Sequence, residues 1–145
     1  MRFWDASALI PLVLQEQATP AVRALATEDP GVLTWWGAEA ECASALARSE
    51  REGRFGGEWE ATDAFRILGE IAHEWEVVGP SPEVKASAIR MLRVHPLRAA
   101  NALQLAAAFT ASGHRPQSLE LVTLDERLAQ AARREGFPVL MPASH

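Results

Sequence analysis

Short apolar segments alternate with longer helical stretches along the chain, and this alternation constrains the fold more than any other feature. The strand candidates are short and bounded by turn or helix signals, and they lie at residues 2–4, 32–36, 76–78, 119–124 and 138–141. The helical stretches lie at residues 6–12, 18–27, 38–51, 58–73, 83–94, 97–112 and 126–135. Strands joined by helices predict an α/β fold with a central parallel sheet covered on both faces.

Prolines and glycines mark the boundaries of these elements. Pro11 must sit in the first turns of its helix or kink it, and Pro96 prevents two helical stretches from joining into one. Gly56 and Gly57 indicate a turn between two helices, and Gly136 ends the last helix. The chain shows no repeats, linkers or low-complexity tracts.

The length and the net charge of the chain limit the number of domains and the classes of function that it can have. A chain of 145 residues that is 48% hydrophobic is expected to form one domain, over residues 1–145, with a single sizeable core. The net charge of −5 argues against a protein that coats nucleic acid regardless of sequence, because such a protein needs a basic surface. Metal ions can still supply positive charge locally.

Other classes of protein are disfavoured. The single Cys42 cannot form an internal disulfide, and the four histidines are too dispersed to indicate a zinc site. An acid stands at position 5, where a signal peptide would have its apolar core, and no segment approaches the roughly 18 apolar residues of a membrane span. We therefore expect a cytoplasmic protein without membrane contact.

Two acids directly follow predicted strands. Asp5 follows the first strand, and Asp125 follows the strand that ends at Leu124. Ligands of parallel sheets gather beyond the carboxyl ends of the strands, so these side chains are candidates for a site. Both also precede helices, and capping of a helix N-terminus explains either one alone at least as well.

A third acid lies early in the helix that follows the second strand. Glu41 borders the apolar stripe of that helix, and Glu39 flanks the stripe on its other side. Helical periodicity does not choose between them. Both are also ordinary early-helix acids that the helix dipole favours.

Asn101 places a polar group on a face expected to be buried. Leu97, Leu105 and Ala108 share its side of the helix. A buried amide needs hydrogen-bond partners, so Asn101 either bonds to a neighbouring loop or directs its oxygen at a metal ion or its waters. Spacing alone favours the structural interpretation.

Three acids that converge on one pocket would repel each other unless a cation lay among them. Oxygen-only ligands suit Mg²⁺ or Mn²⁺. Such ions activate and orient water and stabilise charge on a phosphate, so this group of residues fits hydrolysis of phosphodiesters.

Four segments, in this order and spacing, resemble the PIN-domain ribonuclease family, in particular VapC-type toxins of VapBC toxin–antitoxin systems. They are Phe-Trp-Asp-Ala-Ser-Ala-Leu at 3–9, Ala-Glu-Cys-Ala-Ser-Ala-Leu-Ala-Arg at 40–48, Leu-Arg-Ala-Ala-Asn-Ala-Leu-Gln-Leu-Ala at 97–106 and Val-Thr-Leu-Asp-Glu-Arg-Leu at 122–128. The resemblance covers essentially the whole chain. It favours Glu41 over Glu39, because the family's acid precedes the Ala-Leu-Ala-Arg stretch.

The resemblance implies an α/β/α sandwich with a central parallel sheet and an endoribonuclease that depends on Mg²⁺ or Mn²⁺. It makes Asp5, Glu41 and Asp125 metal-binding carboxylates, and it implies that Thr123 holds the site's waters or the last acid. It also implies a homodimer that cuts RNA and is inhibited by a cognate VapB-type antitoxin.

Position 101 departs from the family pattern, which has aspartate there. Asn101 keeps one neutral oxygen ligand but removes a charge, so three formal negative charges remain where the pattern has four. We expect weaker metal binding, with one occupied site or none, and attenuated activity.

The predicted substrate contacts are Arg98 and, by the resemblance, Thr123. Two sets of arginines lie near the candidate site, one at positions 48, 51 and 54 and the other at positions 90, 93 and 98. Arg98 is favoured because it lies one predicted helical turn before Asn101. Solvated helix faces explain both sets about as well.

Two other functions compete with the nuclease. A catalytically weak member would act as a module that binds an antitoxin in autoregulation, with a surface supplied by alanine-rich helices and tryptophans, although tryptophans at 35, 36, 59 and 75 are more often packing residues. A phosphatase with Asp5 as nucleophile is less favoured, because Ser7 rather than a second acid follows and no phosphate-binding glycine loop is present. Cys42 lies mid-helix on an apolar stripe, which is typical of a buried small residue rather than a nucleophile.

Overall fold

The computed structural model describes residues 1–142, with the backbone alone at residues 58 and 59. Its five strands are β1 (Arg2–Trp4), β2 (Val32–Trp35), β3 (Glu76–Val78), β4 (Leu121–Val122) and β5 (Val139–Leu140). The helices are α1 (Ala6–Leu9), α2 (Thr19–Glu28), α3 (Ala38–Arg51), α4 (Glu58–His73), α5 (Pro82–Val94), α6 (Ala99–Ala111) and α7 (Glu126–Glu135). Single 3₁₀ turns lie at Ile10–Leu12 and Pro116–Ser118.

The strands form one sheet in the order β3-β2-β1-β4-β5, and every pair is parallel. The central strand β1 pairs with β2 on one side and with β4 on the other, with Phe3 opposite Leu33 and Leu121. From β1 the chain moves outward to β2 and β3 and then crosses to β4 and β5. The order therefore reverses between β1 and β4, and the carboxyl end of that strand pair is where parallel sheets bind their ligands.

Two apolar cores cover the two faces of the sheet, because neighbouring residues of a strand point in opposite directions. Phe3 packs with residues of α5, α6 and α7, among them Met91, Leu105 and Leu128. Trp4 packs on the other side with residues of α1 to α4, among them Leu9, Val22, Leu46 and Leu68. The predicted α/β/α sandwich with a central parallel sheet is confirmed.

The strand predicted over residues 119–124 is shorter in the structure, where β4 has only Leu121 and Val122. Leu119 is used to close the preceding 3₁₀ turn, since its N–H donates to the Pro116 carbonyl at 3.2 Å. At the other end, side-chain hydroxyls instead of a neighbouring strand accept from the N–H groups of Leu124 and Asp125. The strand therefore stops early, and the chain after it belongs to the candidate site.

The boundary predicted at Pro96 is confirmed, whereas the helix predicted over residues 6–12 ends before Pro11. Pro11 lies in the 3₁₀ turn after α1, which is only four residues long. Helix α5 ends at Val94, and His95 adopts the extended backbone that a following proline favours. In residues 1–142 no helix is both long and apolar enough to cross a membrane.

The junction between α5 and α6 is tied to α7 by a nearly buried carboxylate. Glu135 accepts from the Arg90 guanidinium at 2.9 and 3.2 Å, and the His95 Nε2 lies 2.6 Å from Glu135 Oε2. Burial alone raises the pKa of Glu135, but the hydrogen bonds from Arg90 and His95 outweigh it and leave the pKa lowered. These bonds hold the end of α5, and the residue that follows it, against the end of α7.

Glu135→Gln is expected to lower the free energy of unfolding at pH 7 by about 1.5–3 kcal/mol, because it weakens hydrogen bonds to a charged group. A carboxyl whose pKa is lowered on folding stabilises the protein above its unfolded pKa and loses that contribution as the pH falls through its folded pKa. The deficit of the variant should thus shrink in acid, as measured by urea unfolding at pH 3.5 to 7. A deficit that is constant with pH, or no larger than that of exposed Glu74→Gln, would contradict this.

Candidate functional site

Four of the six predicted site residues lie in one cavity at the carboxyl end of the sheet, beside the point where the strand order reverses. Its volume is about 290 Å³. Four sequence-predicted residues line it, and they come from four separate parts of the chain: Asp5, Glu41, Asn101 and Asp125. Ser7, Ile10, Ser44 and Arg48 complete most of the wall.

Asp5 directly follows β1 and is only 2% exposed. Its strand end is anchored because the buried Thr34 hydroxyl donates to the Trp4 carbonyl at 2.6 Å. Asp5 caps α1 by accepting from the Ser7 N–H at 3.3 Å, and it also accepts from the Ser7 hydroxyl at 2.7 Å. Burial raises the pKa of Asp5 to about 6; hydrogen bonds from Ser7 and Thr123 oppose this rise, and the charge of Asp125 adds to it.

A hydroxyl pair joins the two loops that carry Asp5 and Asp125. The Ser7 and Thr123 hydroxyl oxygens lie 3.2 Å apart. Ser7 Oγ accepts from the Leu124 N–H at 2.9 Å, and Thr123 Oγ1 accepts from the Asp125 N–H at 3.0 Å. Thr123 is fully buried, so it orders the last acid from behind the cavity and does not face a substrate.

Asp125 precedes α7 and caps it, accepting from the Leu128 N–H at 2.9 Å. Its other oxygen accepts from the Asn101 side-chain amide at 3.2 Å. Asn101 is partly buried on α6, and its partner is a loop residue that is also a candidate ligand. The sequence offered two interpretations of Asn101, a hydrogen bond to a neighbouring loop or a role at a metal site. The bond to Asp125 fits the first, and it places Asn101 beside a candidate ligand, as the second requires.

Glu41 is half-buried in the first turn of α3 and lines the cavity, whereas Glu39 is exposed. Glu41 accepts from the side-chain amide of Gln104 at 2.7 Å. Burial raises the pKa of Glu41 to about 7; the Gln104 hydrogen bond opposes this rise, and the charge of Asp5 adds to it. The structure thus places Glu41, and not Glu39, at the site.

The donor set suits a hard divalent cation, since its charged members are all carboxylates and its neutral members are an amide and a hydroxyl. Within residues 1–142, however, no three acidic, histidine or cysteine side chains lie close enough to ligate one ion as they stand. A shared ion therefore requires side-chain movements toward the cavity centre.

The two sets of arginines named from the sequence lie differently with respect to the cavity. Arg98 is exposed and is the N-cap of α6 with extended backbone, and it is not among the residues that line the cavity. Arg48 on α3 does line it, and it also lines an adjoining groove of about 400 Å³.

Sequence reasoning did not single out Ser7, Gln104 or Arg48 as members of the site. Gln104 follows Asn101 by three residues, which is the spacing of one helix face, so a second polar residue on that face was the available signal. Ser7 had no comparable signal, because its contacts depend on the pairing of β1 with β4. Cys42 is fully buried, and burial raises the pKa of its thiol to about 12, with the charges of Glu41, Asp5 and Glu39 adding to the rise, which argues against a thiolate nucleophile.

Comparison with known proteins shows the fold. No protein-family model matches the chain, and no curated protein matches it. Among solved structures, a toxin–antitoxin complex from Klebsiella pneumoniae matches with a TM-score of 0.67 at 16% identity, covering 99% of this chain and 98% of that chain. The protein PAE2754 from Pyrobaculum aerophilum matches with a TM-score of 0.62 at 21% identity, covering 97% and 82%. At these identities the likeness establishes a shared fold.

Asn101→Asp is expected to destabilise the metal-free protein by about 1–3 kcal/mol at pH 7, because it replaces a hydrogen bond to Asp125 with a second negative charge. Mn²⁺ should then raise the melting temperature of this variant more than that of the parent chain. Thermal unfolding in chelator and in Mn²⁺ measures both effects. Asn101→Ala is the control that removes the hydrogen bond without adding charge. Equal stability of Asn101→Asp and the parent chain in chelator would contradict the stabilising role of the hydrogen bond from Asn101 to Asp125.

Proposed function

We propose that this protein is a metal-dependent endoribonuclease and the toxin component of a type II toxin–antitoxin system, attenuated by Asn101. The observation that carries the proposal is the convergence of Asp5, Glu41 and Asp125 on one cavity at the reversal point of the sheet. Stability alone does not explain three acids from distant parts of the chain in one cavity, because their charges repel each other.

The toxin assignment rests on two further observations. The four sequence segments that resemble VapC-type toxins contain all four predicted site residues. One structure of the same fold, from Klebsiella pneumoniae, is described as a toxin–antitoxin complex. A VapB-type antitoxin is thus the proposed partner, and a homodimer the proposed assembly.

The chain's residues divide the work at the site. Asp5, Glu41 and Asp125 would hold Mg²⁺ or Mn²⁺, with the Asn101 oxygen as a neutral ligand. Such an ion lowers the pKa of a bound water, orients it and stabilises charge on the phosphate. Ser7 and Thr123 keep the Asp5 and Asp125 loops together, since their hydroxyls bind each other and the backbone of the second loop.

An extended substrate fits the surroundings of the cavity. The adjoining groove of about 400 Å³ shares Ser7, Ile10 and Arg48 with it and continues to Arg54. A guanidinium at the boundary of the two spaces suits a phosphate of a nucleic-acid strand that passes through both. Arg48 is therefore the proposed phosphate contact at the site, and Arg98, on the surface of α6, stays a prediction for a more distant contact.

Purified protein, free of antitoxin, is expected to cleave mixed cellular RNA with Mn²⁺ or Mg²⁺ and to stop in chelator. Asn101→Asp should cleave faster under the same conditions, because the added carboxylate strengthens cation binding. The assay compares cleavage rates of the two proteins side by side.

Asp5→Asn is the matched negative control, because asparagine also caps a helix well but lacks the charge. Cleavage that survives chelator, or that is unchanged in Asp5→Asn, would contradict the proposed chemistry. Inactivity of both the parent chain and Asn101→Asp would favour the binding function described below.

Arg48→Ala is expected to raise KM for RNA by about tenfold with a smaller change in kcat, since one charge-assisted contact is worth about 1.5 kcal/mol or more. Its control is Arg51→Ala, an exposed arginine on the same helix that lines neither space. Steady-state kinetics on one oligoribonucleotide would separate the two. Equal effects of both substitutions would mean that only the overall charge matters.

A second candidate function is antitoxin capture without cleavage, and Trp36 favours it. This side chain is 64% exposed just after β2, with its ring edge-on to that of Trp35 at 6.4 Å. Trp35 itself is buried in the core, Trp75 is half-buried, and the side chain of Trp59 lies outside the described part of the chain. An exposed tryptophan is typical of a protein interface.

A further inference from the structure

Helix α6 presents two side-chain amides to the site, one turn apart. Asn101 donates to Asp125 at 3.2 Å, and Gln104 donates to Glu41 at 2.7 Å. The two carboxylates belong to different elements, since Asp125 precedes α7 and Glu41 lies in α3. One helix therefore contacts two of the three candidate ligands.

Gln104 is the more informative of the two amides. It is 1% exposed, and its Oε1 is buried without a hydrogen-bond partner among the residues that the structure describes. The reverse orientation of the amide would set Oε1 against the Glu41 carboxylate, so the bond to Glu41 fixes which atom stays unpaired.

A buried amide whose oxygen has no hydrogen-bond partner lowers the free energy of unfolding. An apolar side chain of similar length, such as methionine, would fill the same space without an unsatisfied acceptor. The neighbouring residues of α6 follow that rule, because Ala102, Leu105 and Ala106 are buried and apolar. The hydrogen bond to Glu41 is what distinguishes Gln104 from its neighbours.

We infer that Gln104 is a positioning residue that holds the Glu41 carboxylate at the cavity before a divalent cation arrives. The inference rests on the proposed function for its purpose, although the positioning itself belongs to the metal-free protein. The bond engages Glu41 Oε2 and leaves the other oxygen for the cation.

The first test compares the full chain with Gln104→Met. In metal-free crystals, Glu41 should occupy one side-chain position in the parent chain and a different or divided position in the variant. The melting temperature without metal should stay the same or rise, while the dissociation constant for Mn²⁺, measured by calorimetry, should increase about 10- to 100-fold. Gln130→Met, at an exposed position on α7, is the control and should change none of these.

The second test exchanges the two side chains in the double variant Glu41→Gln, Gln104→Glu. The exchange keeps an amide–carboxylate hydrogen bond but moves the charge from α3 to α6. We expect a lower melting temperature, because a carboxylate at the buried position 104 would keep one oxygen without a partner, and Mn²⁺ affinity reduced at least as much as in Gln104→Met. Mn²⁺ affinity at the parent level in this variant would overturn the inference, because the position of the carboxylate would then not matter.

The outcomes for Gln104 and for the proposed function are separable. If the parent chain binds no Mn²⁺, the proposed function fails, and the position of Glu41 in the metal-free crystals still decides the inference. If Glu41 keeps its position in Gln104→Met, or if metal affinity falls only in step with the melting temperature, Gln104 does not position it.

Discussion

Parallel pairing of β1 with both β2 and β4 is the constraint on which the rest of the structure depends. With β1 in the centre, the chain must leave on one side and return on the other, so the strand order reverses beside β1. Asp5 and Asp125 leave the sheet at this reversal, and the helices α3 and α6 bring Glu41 and Asn101 to the same end. The order in which the strands are connected thus brings these four positions together at one end of the sheet.

The same placement creates an electrostatic problem. Asp5 and Glu41 are buried enough that the pKa of each is raised, and each acid has at least one of the others as a negative neighbour. Protein donors partly compensate: Ser7 bonds Asp5, Asn101 bonds Asp125, and Gln104 bonds Glu41. Neutral donors reduce the repulsion without removing the charges, and a divalent cation would complete the compensation.

Asn101 therefore has two opposite effects. As a donor to Asp125, Asn101 stabilises the site without a cation. Because it is neutral, the site has one negative charge fewer for holding a cation than it would have with aspartate at this position. An aspartate at this position would do the reverse. This trade between stability and metal binding is typical of functional sites, where residues that serve the chemistry repel each other in its absence.

Much of the fold follows from the sequence, because strands followed by helices leave few arrangements other than a parallel sheet with two covered faces. Asp5 and Asp125 were also predictable, since each directly follows a strand predicted from the sequence. Glu41 was not separable from Glu39 by periodicity, because both flank the apolar stripe and only packing decides which one turns inward. The short β4 depends on the hydroxyls of Ser7 and Thr123, which a local pattern does not reveal.

The position of Arg98 was predicted wrongly because the predicted start of its helix was wrong. The sequence pattern starts the helix at residue 97, which places position 98 one turn before Asn101, but α6 begins at Ala99 and Arg98 has extended backbone. Helical spacing does not apply across that boundary, so Arg98 lies on the surface while Arg48 reaches the cavity. Gln104, well inside the helix, lies one turn after Asn101 and also contacts a candidate ligand.

Anomalous X-ray diffraction from a crystal of the unaltered chain soaked in Mn²⁺ would show whether a divalent cation binds among Asp5, Glu41 and Asp125. The account predicts one anomalous peak in the cavity, with carboxylate oxygens of Asp5 and Asp125 at roughly 2–2.5 Å and Glu41 turned toward it. A cavity without a peak at saturating Mn²⁺, or a peak bound only elsewhere on the surface, would contradict the claim that these carboxylates form a cation site.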